Sequence, residues 1–238
     1  MRELATTLTE RLLDPILDRD PAGPRVTFYD DATGARIELS AITLANWAAK
    51  TANLIRDEFG LTPGARVAVL LPAHWQTAAV LLGAWWAGTE VVLEPDPDAE
   101  LALVTPDRLD EVADLPEVAA LSLDAFGRPV PDLPIGVTDY ATSVRIHGDQ
   151  FHPAGAGAAL DGWSVTEVAA AAKLSATEQG FTSADRVLST TAWTTPTELI
   201  EGFVSVFSVG ASLVQVANLD SAALERRVES ERVTATRL

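Results

Sequence analysis

Cysteine is absent from the 238 residues, which excludes disulfides, thiolate nucleophiles and cysteine-ligated metals. Basic residues are scarce: 17 stand against 34 acidic ones, a formal net charge of −17. Nucleic-acid backbones and anionic membranes are themselves negative, so this balance works against both as partners. A long apolar run is missing as well. The longest apolar stretch, 78–87, falls far short of the roughly 20 residues that a membrane-spanning helix needs. The N-terminal MRELATTLTERLLDPIL is amphipathic, without the apolar core and small-residue cleavage site of a signal peptide. No G-x-S-x-G elbow, Walker loop or H-E-x-x-H helix occurs. Together these absences predict a soluble, cytoplasmic protein with no nucleic-acid or membrane partner.

What is present suffices for a large core, with 47% hydrophobic and 21% charged residues. Strand-like and helix-like segments alternate, the pattern of parallel sheets covered by helices. Leu44, Trp47, Ala48, Thr51, Leu54, Ile55 and Phe59 recur at helical spacing, with Ser40 as N-cap and Gly60 as stop. RVAVLL at 66–71 reads as a buried strand ended by Pro72. An apolar helix follows over 74–87, closed by Gly88, and then a strand over 89–93. Trp85 and Trp86 cannot both face inward on that helix, so one is expected at a subunit contact or in a groove. The segment EPDPDAEL, 94–101, is shorter than the dozen or so residues of an ordinary parallel crossover. Either a helix has been lost there or the flanking strands connect differently.

A strand over 101–105, a short helix over 107–113 and a strand over 118–123 complete the first half. The Pro- and Gly-rich stretch 127–139 is the best linker and divides the chain into α/β subdomains of 1–135 and 136–238. The second half predicts a strand over 143–147 and a helix over 164–179 that opens on the capping-box pair Ser164 and Glu167. After DRVLST come a helix over 198–209, a strand over 211–216, a helix over 221–230 and a strand over 233–235.

RIELSAITLANWAAKTANLI and LTPGARVAVLLPAHWQTAAVLLGAWWAGTEVVLEP, followed in order by DRVLST and ERVTAT, resemble the N-terminal part of the adenylate-forming enzymes. These are the acyl-CoA synthetases, peptide-synthetase adenylation domains and luciferases. The likeness runs over about residues 25–236 and is strongest in the first half. It implies two mostly parallel sheets layered with helices, without the C-terminal lid domain.

Adenylation requires a site that holds a triphosphate, binds magnesium and offsets charge on the phosphoryl oxygens. In the resembled family a Ser/Thr/Gly/Lys loop, a downstream acid and a lysine on a C-terminal domain do this. Here the loop position reads HPAGAGAALDGW and the chain ends at Leu238, before the other two would occur. Residues 154–158 keep glycine flexibility and N–H groups suited to an anion, but lack hydroxyls and lysine; the nearest lysine is Lys173. On its residues alone the stretch reads as a flexible Gly/Ala surface loop.

No catalytic residue and no metal ligand is assigned. The candidate binding residues are Gly155, Gly157, Trp193 and Thr194, at strand ends near 148–157 and Trp193. Trp193 falls where the family lines its acyl or nucleotide pocket with an aromatic or His residue; read by itself it is a core tryptophan. ATP or AMP with magnesium is the cofactor if that site survives. His147, His152 and Asp149 match no metal-ligand spacing, and the pairs Asp96/Asp98 and Glu229/Glu231 read as solvated faces.

The first expectation is therefore a degenerate, non-catalytic relative that binds a nucleotide, an acyl group, a protein partner or a second copy of itself. The second is an ATP-dependent carboxylate-adenylating, acyl-CoA ligase-like enzyme with an altered phosphate site or with missing residues supplied by a partner chain. A third, an unrelated hydrolase or transferase matching by chance, predicts a fold without two helix-layered sheets.

Overall fold

A computed structural model describes residues 7–238; the first six residues of the expected amphipathic segment lie outside them. Helix α1 (Leu8–Arg19) starts where the Thr7 hydroxyl accepts from the Glu10 N–H and the Glu10 carboxylate accepts from Thr7, and it buries Leu8, Leu12, Leu13 and Ile16 along one face. Strands β1 (Pro24–Asp30) and β2 (Ala35–Ser40) form an antiparallel hairpin. Ser40 caps α2 (Ala41–Asn53), which continues as a π-helical turn to Glu58.

Strand β3 (Arg66–Leu70), helix α3 (Trp75–Trp86) and strand β4 (Glu90–Val92) follow as expected. Next come β5 (Leu101–Val104), a 3₁₀ turn (Pro106–Val112), β6 (Glu117–Ala120) and β7 (Val137–Asp139). Helix α4 (Tyr140–Ser143), the hairpin of β8 (Ala158–Leu160) and β9 (Trp163–Ser164), and α5 (Val165–Glu178) lead to β10 (Arg186–Ser189). Helix α6 (Pro196–Leu199) runs through a π turn into α7 (Ser205–Ser208). Strand β11 (Ser212–Ala217), helix α8 (Ser221–Ser230) and strand β12 (Ala235–Arg237) complete the chain.

Two mostly parallel sheets result. One has the order β12-β10-β11-β1-β2 and the other β7-β6-β5-β3-β4-β8-β9; only β1/β2 and β8/β9 pair antiparallel. Strand alternation sets the layers. Val67 and Val69 of β3 and Val187 and Leu213 of β10 and β11 join one large core with α1, α2, α3, α5 and the α6–α7 helix. The intervening Ala68 and Leu70 turn to a second cluster under the 3₁₀ turn, and Leu188, Val214 and Val216 turn to a third under α8. A helical layer is thus sandwiched between two sheets whose outer faces are also covered.

Two expectations need correction. Residues 143–147 are helical: Asp139 caps α4, and Tyr140 and Val144, four apart, are both buried, so β-branched content misled where the burial period is helical. As the short segment 94–101 implied, no helix joins β4 to β5. Instead 93–100 crosses back over the amino end of β3, where Glu100 N–H bonds the Arg66 carbonyl; the three-residue length of β4 keeps the return short. The last strand begins at Ala235, two residues later than expected. Each sheet draws strands from both sides of residue 135: β1 pairs with β11, through Val26 against Leu213, while β8 pairs with β4, through Val91 against Leu160. Periodicity along a strand carries no information about which distant strand it joins.

Candidate functional site

The glycine stretch runs over the surface, with Ala154 and Ala156 exposed, and is tied down at Gly155 and Gly157. Gly88 ends α3 with φ +81°, and its carbonyl accepts from both the Gly64 N–H (2.9 Å) and the Gly157 N–H (3.0 Å). A Cβ on Gly88 would stand 2.2 Å from the Gly155 carbonyl oxygen, and one on Gly157 would stand 2.6 Å from the Gly64 Cα. These glycines are therefore where three backbone segments touch at the amino ends of β3, β4 and β8. The following helix offers no free end either, since Ser164 and Glu167 close the amino terminus of α5 reciprocally. The stretch 154–158 thus carries no hydroxyl and no lysine, and the Gly157 N–H is engaged, while Ala154 and Ala156 are exposed.

Trp193 and Thr194 lie at the other end of the strands. Beyond the carboxyl ends of β3 and β10, the Ala73 N–H bonds the Ala192 carbonyl (3.0 Å). Trp193 is 1% exposed, its ring 4.8 Å from Phe203, in the left-handed region at φ +63°. Such a conformation costs an indole-bearing residue about 1–3 kcal/mol, which burial of the ring offsets. The Thr194 N–H and hydroxyl both donate to Glu198 (3.0 and 2.8 Å). The structure thus separates Gly155 and Gly157 from Trp193 and Thr194 by the length of the strands. Of the tryptophan pair, Trp85 is buried with its indole N–H on the Ala159 carbonyl (2.7 Å), whereas Trp86 is half-buried against Phe151 (6.1 Å between rings).

At the carboxyl ends of β1, β3 and β11 a cleft of about 820 Å³ opens between the sheets, within the size range of small-molecule sites. Three chain segments wall it. The β1–β2 turn contributes Asp30, Thr33 and Arg36; the β3–α3 junction contributes Pro72 and His74; the loop after β6 contributes Asp124 and Phe126. Phe28 and Ile37 form the apolar floor and Asn218 closes the β11 end.

Each polar wall is held by bonds of its own. Asp30 accepts from the Asn218 amide (2.8 Å), the Thr33 hydroxyl (2.8 Å) and the Ala32 N–H (3.0 Å). Burial alone would raise its pKa, but these donors win and hold the carboxyl below its ordinary range. The Asp124 carboxylate accepts the Phe126 N–H (2.9 Å), and the Ser122 hydroxyl donates to the Arg128 carbonyl (2.6 Å), shaping a loop that leaves the Phe126 ring 71% exposed. Arg36 is directed out of the cleft, onto Tyr29 (2.9 Å), Glu231 (2.9 Å) and Glu38 (2.8 Å).

His74 differs from these. It is the N-cap of α3, with Nδ1 accepting the Gln76 N–H at 3.2 Å, so the neutral ring carries its proton on Nε2. It is 4% exposed, packs edge-on to Phe28 at 4.3 Å, and Nε2 has no partner among the described residues. Desolvation pulls its pKa down to about 4, against the raising influence of Asp30 and Asp124. At neutral pH it is an uncharged ring beside the cleft whose Nε2–H is buried without a partner among the described residues.

Sequence reasoning missed these residues, although the rule that α/β sheets bind beyond strand carboxyl ends points to Asp30 at the end of β1 and His74 just past β3. A smaller polar recess of about 480 Å³ lies at the opposite end, beside Arg19, Arg25 and Arg186. Those guanidiniums are already bound to the Gly210 and Ala211 carbonyls and to Glu231. Among the described residues no group of three or more His, Cys, Asp or Glu could hold a metal ion, and no helix is long and apolar enough to cross a membrane.

No family model matches the chain. Among solved structures, an acyl-CoA synthetase of Brucella canis superposes with a TM-score of 0.78 at 17% identity, over 97% of this chain and 46% of that one. An anthranilate CoA ligase in complex with anthranoyl-AMP gives 0.76 at 13%, over 98% and 49%. These likenesses are of fold: the chain has the architecture of the N-terminal part of adenylate-forming enzymes and spans about half their length. A TIGR03089 family protein of Mycobacterium tuberculosis (strain ATCC 25618 / H37Rv) is 57% identical over 237 residues, 96% of this chain and 97% of that protein. The chain belongs to the TIGR03089 family.

Proposed function

We propose that the chain is a small-molecule-binding module on an adenylate-forming scaffold, that its ligand sits in the cleft at His74, and that it forms no acyl adenylate by itself. The observation that carries this reading is the contrast in packing: the glycine stretch meets Gly64 and Gly88 in close backbone contact, whereas the cleft stands open.

The test is a pair of assays on the purified chain. Incubation with Mg-ATP and a panel of aliphatic and aromatic carboxylic acids releases no pyrophosphate on this reading; acyl-adenylate formation would refute it. A thermal-shift series with Mg-ATP, AMP, coenzyme A and uncharged ring compounds locates the binding class, since a ligand at 100 times its Kd stabilises by about 2.7 kcal/mol.

One observation favours a second reading, a ligase-like enzyme completed by another polypeptide: the solved structures that the chain matches include a ligase with anthranoyl-AMP bound, and the chain spans about half of it. Capture from native extract of a chain that restores pyrophosphate release would support that reading.

A further inference from the structure

We propose that the polar recess at the amino ends of β1, β10 and β11 is an oxyanion site, which seats the carboxylate or phosphate group of a small molecule against the guanidinium of Arg25. The recess lies at the opposite end of the five-stranded sheet from the cleft at Asp30 and Asn218, so the proposal stands apart from the reading above.

A comparison of two buried arginines carries it. Arg25 and Arg227 are 4% and 7% exposed, and a guanidinium so buried ordinarily has a carboxylate on it, because an unpaired charge away from water is costly. Arg227 follows the rule: two of its nitrogens donate to Asp31, and it lies over the Tyr29 ring at 4.4 Å. Arg25 does not. Its Nη1 donates to the Gly210 and Ala211 carbonyls (2.8 and 2.9 Å), its Nε has no partner among the described residues, and its Nη2 comes only within 3.8 Å of Asp20, beyond hydrogen-bond reach. Burial lowers the pKa of Arg25; Asp20 opposes that fall and Arg19 adds to it.

Arg19 deepens the shortage. It donates to the same Gly210 carbonyl (2.7 Å), so two guanidiniums meet on one oxygen. Glycine permits this approach, since a Cβ on Gly210 would stand 2.8 Å from the Arg19 Nη2. Like charges this close repel, and an anion beside them relieves the repulsion. Arg232 adds a third, exposed guanidinium at the rim.

The acids on the wall are committed elsewhere. Asp20 is 52% exposed and gives one oxygen to the Gly23 N–H (2.9 Å). Both oxygens of Asp185 accept from Thr182 and Thr234, and Glu231 accepts from Tyr29, Arg36 and Arg186. Arg186 is in turn matched by Glu231 and Glu38. What remains is the Arg19 and Arg25 pair with only Asp20 near it, and the complement of such a pair is a group with two anionic oxygens. At about 480 Å³ the recess has room for more than a bare ion.

Titration calorimetry of the full chain at low ionic strength tests the proposal with inorganic phosphate, citrate and, as the control, chloride. Phosphate or citrate should give saturable heat and chloride none; which of the two saturates tells a phosphate site from a carboxylate site. Arg25→Met keeps the buried stem and removes the charge, and Arg232→Ser acts at an exposed position; each should weaken the oxyanion roughly tenfold or more. Asp20→Asn removes the competing carboxylate and should tighten binding about threefold, whereas Asp98→Asn, 82% exposed and outside the recess, should leave it unchanged. If Arg25→Met fails to fold, Arg232→Ser and Asp20→Asn decide. Absence of saturation by both oxyanions, affinities unchanged in the folded arginine variants, or weaker binding in Asp20→Asn would overturn the proposal. Equal tightening in Asp20→Asn and Asp98→Asn would mean an adventitious ion only, and would overturn it as well.

Discussion

The two ends of the seven-stranded sheet are finished in opposite ways. At the amino ends of β3, β4 and β8, glycine lets three backbones touch, and one carbonyl, that of Gly88, takes the N–H groups of Gly64 and Gly157. At the carboxyl ends the chain makes wider turns whose polar side chains bond within their own loops, and about 820 Å³ stays open. The comparison shows that glycine content is not a measure of an anion site. An N–H can serve a phosphate only if the fold leaves it unpaired, and here the glycines serve packing.

Substitutions can sharpen or break this contrast, and the largest effect belongs to the closed end. Gly88→Ala adds a Cβ in the left-handed region and against the Gly155 carbonyl. Strain and overpacking together should destabilise by about 3 kcal/mol or more in denaturant unfolding, while ring-probe affinity of the folded fraction stays unchanged. A small effect would mean the crossing is not tightly packed.

Next in size is the acid response of the open end. His74 has its pKa lowered to about 4 in the folded protein from the ordinary 6.5, so the unfolded chain binds more protons between these values. Stability from this group is fully present above pH 6.5 and falls as pH drops from 6.5 towards 4, by an amount of the order of 3 kcal/mol. His74→Asn should flatten that limb of a stability–pH curve. Glu231 acts in a lower window. Burial opposes its ionisation, but bonds from Arg36, Tyr29 and Arg186 bring its pKa from 4.5 to about 2, so its contribution is present above pH 4.5 and is lost as pH falls from there towards 2. A limb above pH 4.5 that persists in His74→Asn would remove His74 as its cause.

A smaller change, about 1 kcal/mol, is expected from Ser164→Ala, which opens the cap of α5. Thermal shift should show no new affinity for inorganic phosphate in this variant, because the glycines ahead of the helix remain engaged. The smallest change is Phe126→Ala, within about 0.5 kcal/mol in stability because the ring is 71% exposed. Its effect belongs in ligand affinity, and a large loss of stability would show that the ring packs in solution.

Much of the architecture was legible because it is local. Ser40, Ser164 and Glu167 act as the caps their spacing predicts, Gly88 closes α3, and the apolar periods of β3, α3 and α5 correspond to real faces. The strand misassigned at 143–147 was harder to read, because it depends on which face of Tyr140 and Val144 is buried, whereas the missing helix between β4 and β5 was legible in the shortness of 94–101. The site was the least legible part. By composition Gly155 and Gly157 read as a flexible surface loop, and only the fold brings them against Gly64 and Gly88, far away in sequence. His74 looked like an ordinary helix-start residue. Its missing partner and its place beside Asp30 and Asp124 are products of the tertiary fold.

The most direct test of the open-cleft, closed-crossing contrast is a backbone amide NMR map of the chain titrated with adenosine. The cleft site predicts shifts at 30–37, at Ala73 and His74, and at 123–126, with residues 154–158 unmoved. Shifts confined to 154–158, or no shifts at the cleft residues at saturating adenosine, would contradict it.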